Sequence, residues 1–347
     1  MTNRRLVMDL RERRPVWDIP DWAVAEIRAE LPHGWEMIEI ESAADGRGDG
    51  GAPSSEVLEA IEDAEIYMGY GFPPPLFDAA HRDGGTKLRW VHSGAAGVGG
   101  SLHDGMAASS IVLTNSAGVH AVPMSETLLA MILYFARGLD LAVDAQRRGE
   151  WDKRPFEAED TPVRELADAT VGILGFGGIG RELARRATAL GMRVLALKRR
   201  PAEAPPGVDL LFGAQGMDRL LRESDYVAIT LPETAATRDL IGADEIGRKR
   251  GEAVLLNVGR GRVVDEDALV RALADGRLRG AGLDVFRREP LPQDSPLWKA
   301  PNVLVLPHVS ATTQRFWRRQ TDLIVNNLRR YLRGEGLRNT VDKRAGY

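Results

Sequence analysis

The chain has no cysteine among its 347 residues. Disulfides, thiolate zinc sites and cysteine nucleophiles are therefore excluded, and a reducing, cytoplasmic setting is expected. It has no strong charge of one sign. A formal net charge of −4 gives no general attraction to nucleic acid or to a membrane surface. It has no long hydrophobic run. The longest, residues 127–136, is too short to span a bilayer, and the charged start, residues 1–14, lacks the apolar core of a signal peptide. Heptads, 20–50-residue repeats and charged tails are absent. So are metal-ligand spacing of His, Asp and Glu, a Gly-x-Ser-x-Gly elbow and a Gly-Lys-Ser/Thr phosphate loop. Metal, α/β-hydrolase and P-loop chemistries are set aside on those grounds.

What stands out is Gly175-Phe176-Gly177-Gly178-Ile179-Gly180. A β-branched and apolar run, 171–174, leads into it. An amphipathic segment, 181–190, and a second apolar run, 194–197, follow it. Strand, glycine turn, helix and strand form the context that gives this pattern meaning. Gly175 permits the tight turn, Gly177 lets backbone approach a pyrophosphate, and Gly180 lets the helix pack close on the strand. The helix N-terminus offers N–H groups and a positive dipole end to the phosphates.

The rest of the chain reads as alternating strands and helices. Strands are expected at 5–9, 35–40, 64–68, 88–92 and 111–114, with helices at 22–31, 54–60 and 75–81 and a Gly/Asp-rich loop at 46–53. A long helix is expected over 122–147, apolar nearly all round between Leu128 and Phe135 and so buried against a second subunit or within its own. Further strands are expected at 171–174, 193–198, 210–212, 226–231, 253–258, 280–285 and 303–306. Helices lie between most of them, for example at 266–275, and a last helix at 314–333 is expected to return to the first domain. The class is α/β, with two doubly wound parallel-sheet domains. An inserted Rossmann nucleotide-binding domain, 119–311, interrupts a discontinuous flavodoxin-like substrate domain made of 1–118 and 312–347.

Ligands of open α/β sheets bind beyond the carboxyl ends of the strands. Arg260 follows one such strand, Glu289 the next and His308 the last, so the sheet gathers them beside the glycine turn. His308 can exchange a proton near neutral pH. Glu289 can accept from its other ring nitrogen and raise its pKa. Arg260 offers a planar fork to a carboxylate. With a nicotinamide nearby, this set interconverts a 2-keto acid and a 2-hydroxy acid. Of the other histidines, His33 and His81 read as solvated and His103 as a loop residue, while His92 and His120 read as cleft-lining. Residues 70–75 and Trp317 are read as further walls of the substrate pocket.

Several segments resemble the D-isomer-specific 2-hydroxyacid dehydrogenase family. They are Trp90-Val91-His92-Ser93-Gly94-Ala95-Ala96-Gly97-Val98, Asn115-Ser116-Ala117-Gly118 with Met124-Ser125-Glu126, the glycine turn, and Leu231-Pro232-Glu233-Thr234 with Thr237. Asn257-Val258-Gly259-Arg260-Gly261, Gly282-Leu283-Asp284-Val285-Phe286, Glu289-Pro290-Leu291-Pro292 and Pro307-His308 complete the set. The resemblance implies that Arg260, Glu289 and His308 are catalytic, and that backbone amides near Ala96 and Gly97, with Arg260 and His308, hold the substrate. It implies a cofactor site of Gly175, Phe176, Gly177, Gly178, Ile179, Gly180, Leu231, Pro232, Thr237, Asn257, Val258, Gly259, Asp284 and His308. It also implies a homodimer built on 119–150. One departure bears on the cofactor. Where many members carry an acidic residue that binds the adenosine ribose, this chain has Lys198-Arg199-Arg200, which attract a 2′-phosphate. NADP is therefore expected, with NAD as the alternative. The rival readings are a formate or phosphonate dehydrogenase relative, and a nucleotide-sensing corepressor-like protein of the same fold. Glu289, in place of the glutamine that pairs with histidine in formate dehydrogenases, and the lack of a long disordered tail weigh against two of these.

Overall fold

The computed structural model describes residues 4–43, 52–82, 84–200, 202–249 and 251–346. Most of the expected 46–53 loop lies outside the described residues. The chain divides into two compact units, Met1–Val119 with Thr312–Tyr347, and His120–Ala311. No helix among the described residues is long and apolar enough to cross a membrane.

The first unit holds five parallel strands, β1 (Arg4–Asp9), β2 (Trp35–Glu39), β3 (Ile66–Gly69), β4 (Trp90–Ser93) and β5 (Val112–Thr114), in the order β2-β1-β3-β4-β5. Side chains alternate between the two faces of a strand. Val7, Tyr67, Val91 and Leu113 accordingly join one core with Val57, Leu76 and Met106. Leu6, Met8, Ile66, Met68 and Trp90 join another with Ala23, Ile27 and the C-terminal helix Phe316–Leu332. Both faces are thus covered by helices, as a parallel sheet requires.

Three side chains read as pocket-lining belong to these cores instead. His92 is fully buried. Its Nδ1 lies 2.9 Å from Thr114 Oγ1 and its Nε2 3.1 Å from Gln320 Nε2. Trp317 is 6% exposed and packs edge-on against Phe316, and Phe72 is fully buried. Even spacing along a strand or helix does not reveal which face turns inward until the covering helix is known.

The second unit holds seven parallel strands: β6 (Thr170–Leu174), β7 (Arg193–Leu197), β8 (Val208–Leu211), β9 (Tyr226–Ile229), β10 (Val254–Asn257), β11 (Gly280–Leu283) and β12 (Val303–Val305). Their order is β8-β7-β6-β9-β10-β11-β12. The chain reverses its direction of travel across the sheet between β6 and β9, the position where doubly wound sheets open a ligand crevice.

The single helix expected over 122–147 is two helices, Ala121–Ala136 and Leu139–Arg148. Gly138 sits between them with φ +64, a left-handed conformation that ends a helix and that glycine adopts without penalty. Leu128, Met131, Ile132 and Phe135 are buried in the core of their own unit, while Leu133 and Leu139 stay exposed.

Candidate active site

The glycine turn follows β6. Gly175 has φ +104, and its carbonyl accepts a hydrogen bond from Thr230 Oγ1 (2.6 Å) at the end of β9. A Cβ on Gly180 would lie 2.4 Å from the Gly175 carbonyl oxygen, so only glycine lets the helix Gly178–Ala189 start against the turn. A Cβ on Gly177 would meet nothing within 4 Å. The helix has no side-chain cap and no acidic residue in its first turn. Uncapped N–H groups, a positive dipole end and open space over Gly177 form a cradle that fits a dinucleotide pyrophosphate.

β7 pairs with β6 in the register Leu197↔Leu174, which sets Lys198 level with Gly175 at the same sheet edge. The Lys198 backbone is fixed by its N–H to the Leu211 carbonyl (3.0 Å), and no carboxylate pairs with its side chain among the described residues. Arg199 and Arg200 follow as exposed residues.

The register Ile229↔Asn257↔Leu283↔Val305 sends the chain out of β9, β10, β11 and β12 at one edge. Buried Asn257 organises the exit from β10. Its Oδ1 accepts the Gly259 N–H and its Nδ2 donates to the Arg260 carbonyl, both at 3.0 Å. Gly259 passes so close to β9 that a Cβ would lie 2.6 Å from the Leu231 carbonyl oxygen. Next in the same edge, Thr237 Oγ1 donates to the Pro232 carbonyl (2.7 Å) and accepts the Thr234 N–H (2.8 Å), closing the 232–237 loop. Arg260 itself is exposed, with Nη1 on the Gly259 carbonyl (2.8 Å).

Glu289 and His308 meet at this edge. His308 Nδ1 lies 2.6 Å from Glu289 Oε2, and Glu289 Oε1 accepts the Phe286 N–H (2.9 Å). Burial pushes the Glu289 carboxyl up. The His308 bond, the Phe286 N–H and the charges of His308 and Arg260 outweigh it, and the net shift is below the ordinary carboxylate value. The bond from Glu289 raises the His308 pKa, against opposing burial, and the charges of Glu289 and Asp284 add to the rise. Asp284 is fully buried. Its two carboxylate oxygens accept the Val309 N–H (2.7 Å) and the Ser310 N–H (3.0 Å), anchoring a turn in which His308 has φ +54. His308 Nε2 is left as the ring's other proton-bearing position.

Four supports escaped the sequence reading. Thr230 fixes the glycine turn. Glu266 Oε1 accepts the Arg287 N–H (2.6 Å), and Asp239 accepts from Arg287 Nη2 (2.6 Å). The Phe286 amide holds Glu289. Phe286 and Glu266 stood in segments singled out from the sequence, but neither contact was read there, and the link of Glu266 to Arg287 across 21 positions has no spacing signature. In the first unit, the segment after β4 leaves Ala96 exposed and Gly97 half-buried.

Residues 129–310 match the family model described as "D-isomer specific 2-hydroxyacid dehydrogenase, NAD binding domain". The chain is 36% identical over 290 residues to glyoxylate/hydroxypyruvate reductase B of Yersinia enterocolitica, covering 83% of this chain and 86% of that protein. A D-isomer specific 2-hydroxyacid dehydrogenase from Xanthobacter autotrophicus, solved with NADPH and MES, superposes with a TM-score of 0.80 at 30% identity, over 99% of this chain and 100% of that one. An NADPH-dependent glyoxylate/hydroxypyruvate reductase from Sinorhizobium meliloti, solved with NADP and sulfate, has a TM-score of 0.76 at 28% identity, over 99% and 100%.

Proposed function

The chain belongs to the D-isomer specific 2-hydroxyacid dehydrogenase family, and from that premise we propose that it reduces a small 2-keto acid to the D-2-hydroxy acid, with NADPH preferred over NADH. The observation that carries the reading is the 2.6 Å His308–Glu289 pair at the sheet edge that also bears the glycine turn and Arg260. A bound reduced nicotinamide supplies the hydride that the carbonyl carbon takes up. His308, held as imidazolium by Glu289, gives a proton from Nε2 to the carbonyl oxygen and takes it back in the oxidative direction. Arg260 neutralises and orients the substrate carboxylate as a fork. In the first unit, the backbone amides of exposed Ala96 and half-buried Gly97 are read as a carboxylate-binding element of their own.

Gly175 to Gly180 receive the pyrophosphate, and the segments at Leu231, Pro232, Thr237, Asn257, Val258, Gly259 and Asp284 border the rest of the cofactor. Lys198, Arg199 and Arg200 take a 2′-phosphate. The names of the Yersinia and Sinorhizobium relatives make glyoxylate and hydroxypyruvate the first substrates to try. Exposed Leu133 and Leu139, in the 119–150 region, support a homodimer built there, and the absence of cysteine supports a cytoplasmic setting. The test is turnover of a 2-keto acid panel with NADPH and NADH at matched salt. Activity with no member of the panel overturns the reading.

A further inference from the structure

We propose that Asn115 and Ser116 are positioning residues that aim the Ala96 and Gly97 amides outward as a carboxylate-holding nest. The inference rests on the 2-keto acid reading above. It begins from three carbonyl groups at the end of β4 and in the segment that follows it. The Ser93 carbonyl accepts from Ser116 Oγ (2.8 Å), the Ala95 carbonyl from the Ser116 N–H (3.1 Å), and the Ala96 carbonyl from Asn115 Nδ2 (2.8 Å).

A trans peptide unit is planar, with its C=O and N–H pointing in opposite directions. The Ala95 carbonyl and the Ala96 N–H belong to one such unit, and the Ala96 carbonyl and the Gly97 N–H to the next. Pinning both carbonyls onto 115–116 therefore turns both N–H groups the other way. Neither N–H makes a hydrogen bond among the described residues. Successive N–H groups presented on one side form an anion-binding concavity. The supports lie deep, with Ser93, Asn115 and Ser116 all 6% exposed or less, whereas Ala96 is exposed. A rigid base under an open rim is the arrangement that a preorganised oxyanion or carboxylate site needs.

The base is itself clamped by the far end of the chain. Gln320 Nε2 donates to Ser116 Oγ (2.8 Å), and Asn339 Nδ2 donates to the carbonyls of Asn115 (3.2 Å) and Ala117 (2.8 Å). The Asn115 N–H donates in turn to the Asn339 carbonyl (3.1 Å). The segment 312–347 thus has a local task in this unit, since it fixes the two residues that fix the nest.

The experiment uses the full-length enzyme with Asn115→Ala and Asn115→Asp, and Ser116→Ala as a milder third variant. Asn115→Asp keeps the Oδ1 that accepts the Ala117 N–H (3.1 Å) and replaces the donor to Ala96 by a charged acceptor, so Asn115→Ala, which adds no charge, is read beside it. The expected result is a keto-acid KM raised about ten-fold or more and a matching rise in the Kd of oxamate, an unreactive keto-acid mimic. kcat should stay within a few-fold and the NADPH Kd, read by fluorescence, should be unchanged. A smaller KM rise is expected for Ser116→Ala, which keeps the backbone N–H on Ala95. Unchanged KM and oxamate Kd in folded variants overturn the positioning role, as does a loss confined to kcat or to NADPH binding. A parent enzyme that neither reduces any keto acid nor binds oxamate overturns the reading beneath it, and the nest with it.

Discussion

A methyl group on Gly261 would lie 1.9 Å from the carbonyl carbon of Phe286. The segment after β10, which bears Arg260, therefore rests directly on the backbone after β11, which leads to Glu289. The contact leaves no room for a side chain, and it fixes the spacing of the two charged groups without any bond between their side chains.

Gly261→Ala should accordingly push the two segments apart. Overpacking of this kind costs about 1–3 kcal/mol of stability. The larger effect should be on chemistry, because a displacement of about 1 Å in a catalytic constellation can cost on the order of 100-fold. We expect kcat/KM for keto acids to fall by about that factor while the protein still folds. Steady-state kinetics beside a thermal melt checks this, and a variant with parental kinetics would show that the contact is not needed for alignment.

On the proposed mechanism, the His308–Glu289 pair should set the pH response. The His308 pKa is raised above 6.5, so imidazolium persists to higher pH, and the reductive kcat/KM should fall only as pH rises through that raised value. Glu289→Gln removes the charge that raises it, and the fall should begin at lower pH. The same coupling has a stability signature. The His308 contribution is complete below 6.5 and is lost as pH rises through its raised pKa. The Glu289 contribution is complete above 4.5 and is lost as pH falls through its lowered one. A pH–rate profile of Glu289→Gln that overlays the parent would remove Glu289 from this role.

Asp284 provides a separate test of how His308 is held. Its oxygens accept two successive backbone N–H groups immediately after His308. Asp284→Asn keeps the shape but turns an N–H₂ toward one of those donors, and it removes a charge that helps to raise the His308 pKa. We expect kcat to drop about ten-fold or more, with the high-pH fall moved to lower pH. Substitution with no effect on the profile would confine Asp284 to a packing role.

Much of the fold is legible in the sequence because its strands are short apolar runs punctuated by glycine and polar turns. All twelve strands lie within two residues of the expected ends, as at Leu88–His92, observed as Trp90–Ser93. The break at Gly138 was missed because the apolar residues on either side keep helical spacing, and a left-handed residue leaves no periodic trace. His92 was misread for a different reason. A histidine in a strand looks the same in sequence whether it faces a cleft or a covering helix, and Gln320, which decides the matter, is 228 positions away. The proximity of Arg260, Glu289 and His308 could be read from strand ends alone, since a parallel sheet delivers successive exits to one edge. The supports from Thr230, Glu266 and Asp239 could not, because each depends on side-chain reach across strands.

The proposed preference for NADPH rests on Lys198, which the β6–β7 register sets level with Gly175, at the edge where Rossmann sheets receive the adenosine ribose. Arg199 and Arg200 add positive charge just beyond it. A 2′-phosphate meeting these groups forms charge-assisted bonds, each worth roughly 1.5–3 kcal/mol, or about ten- to a hundred-fold in affinity. An acidic residue in the same place would repel that phosphate and accept from a ribose hydroxyl instead. Lys198→Asp should therefore lower kcat/KM with NADPH and raise it with NADH, moving the ratio by about 100-fold or more. The parent's NADPH preference should shrink as salt is raised, because exposed charges are screened within about 10 Å at 0.1 M. NADH binding, which lacks the phosphate, should change less. Paired kcat/KM measurements at low and high salt decide the point, and a parent enzyme that favours NADH at low salt would sink the assignment.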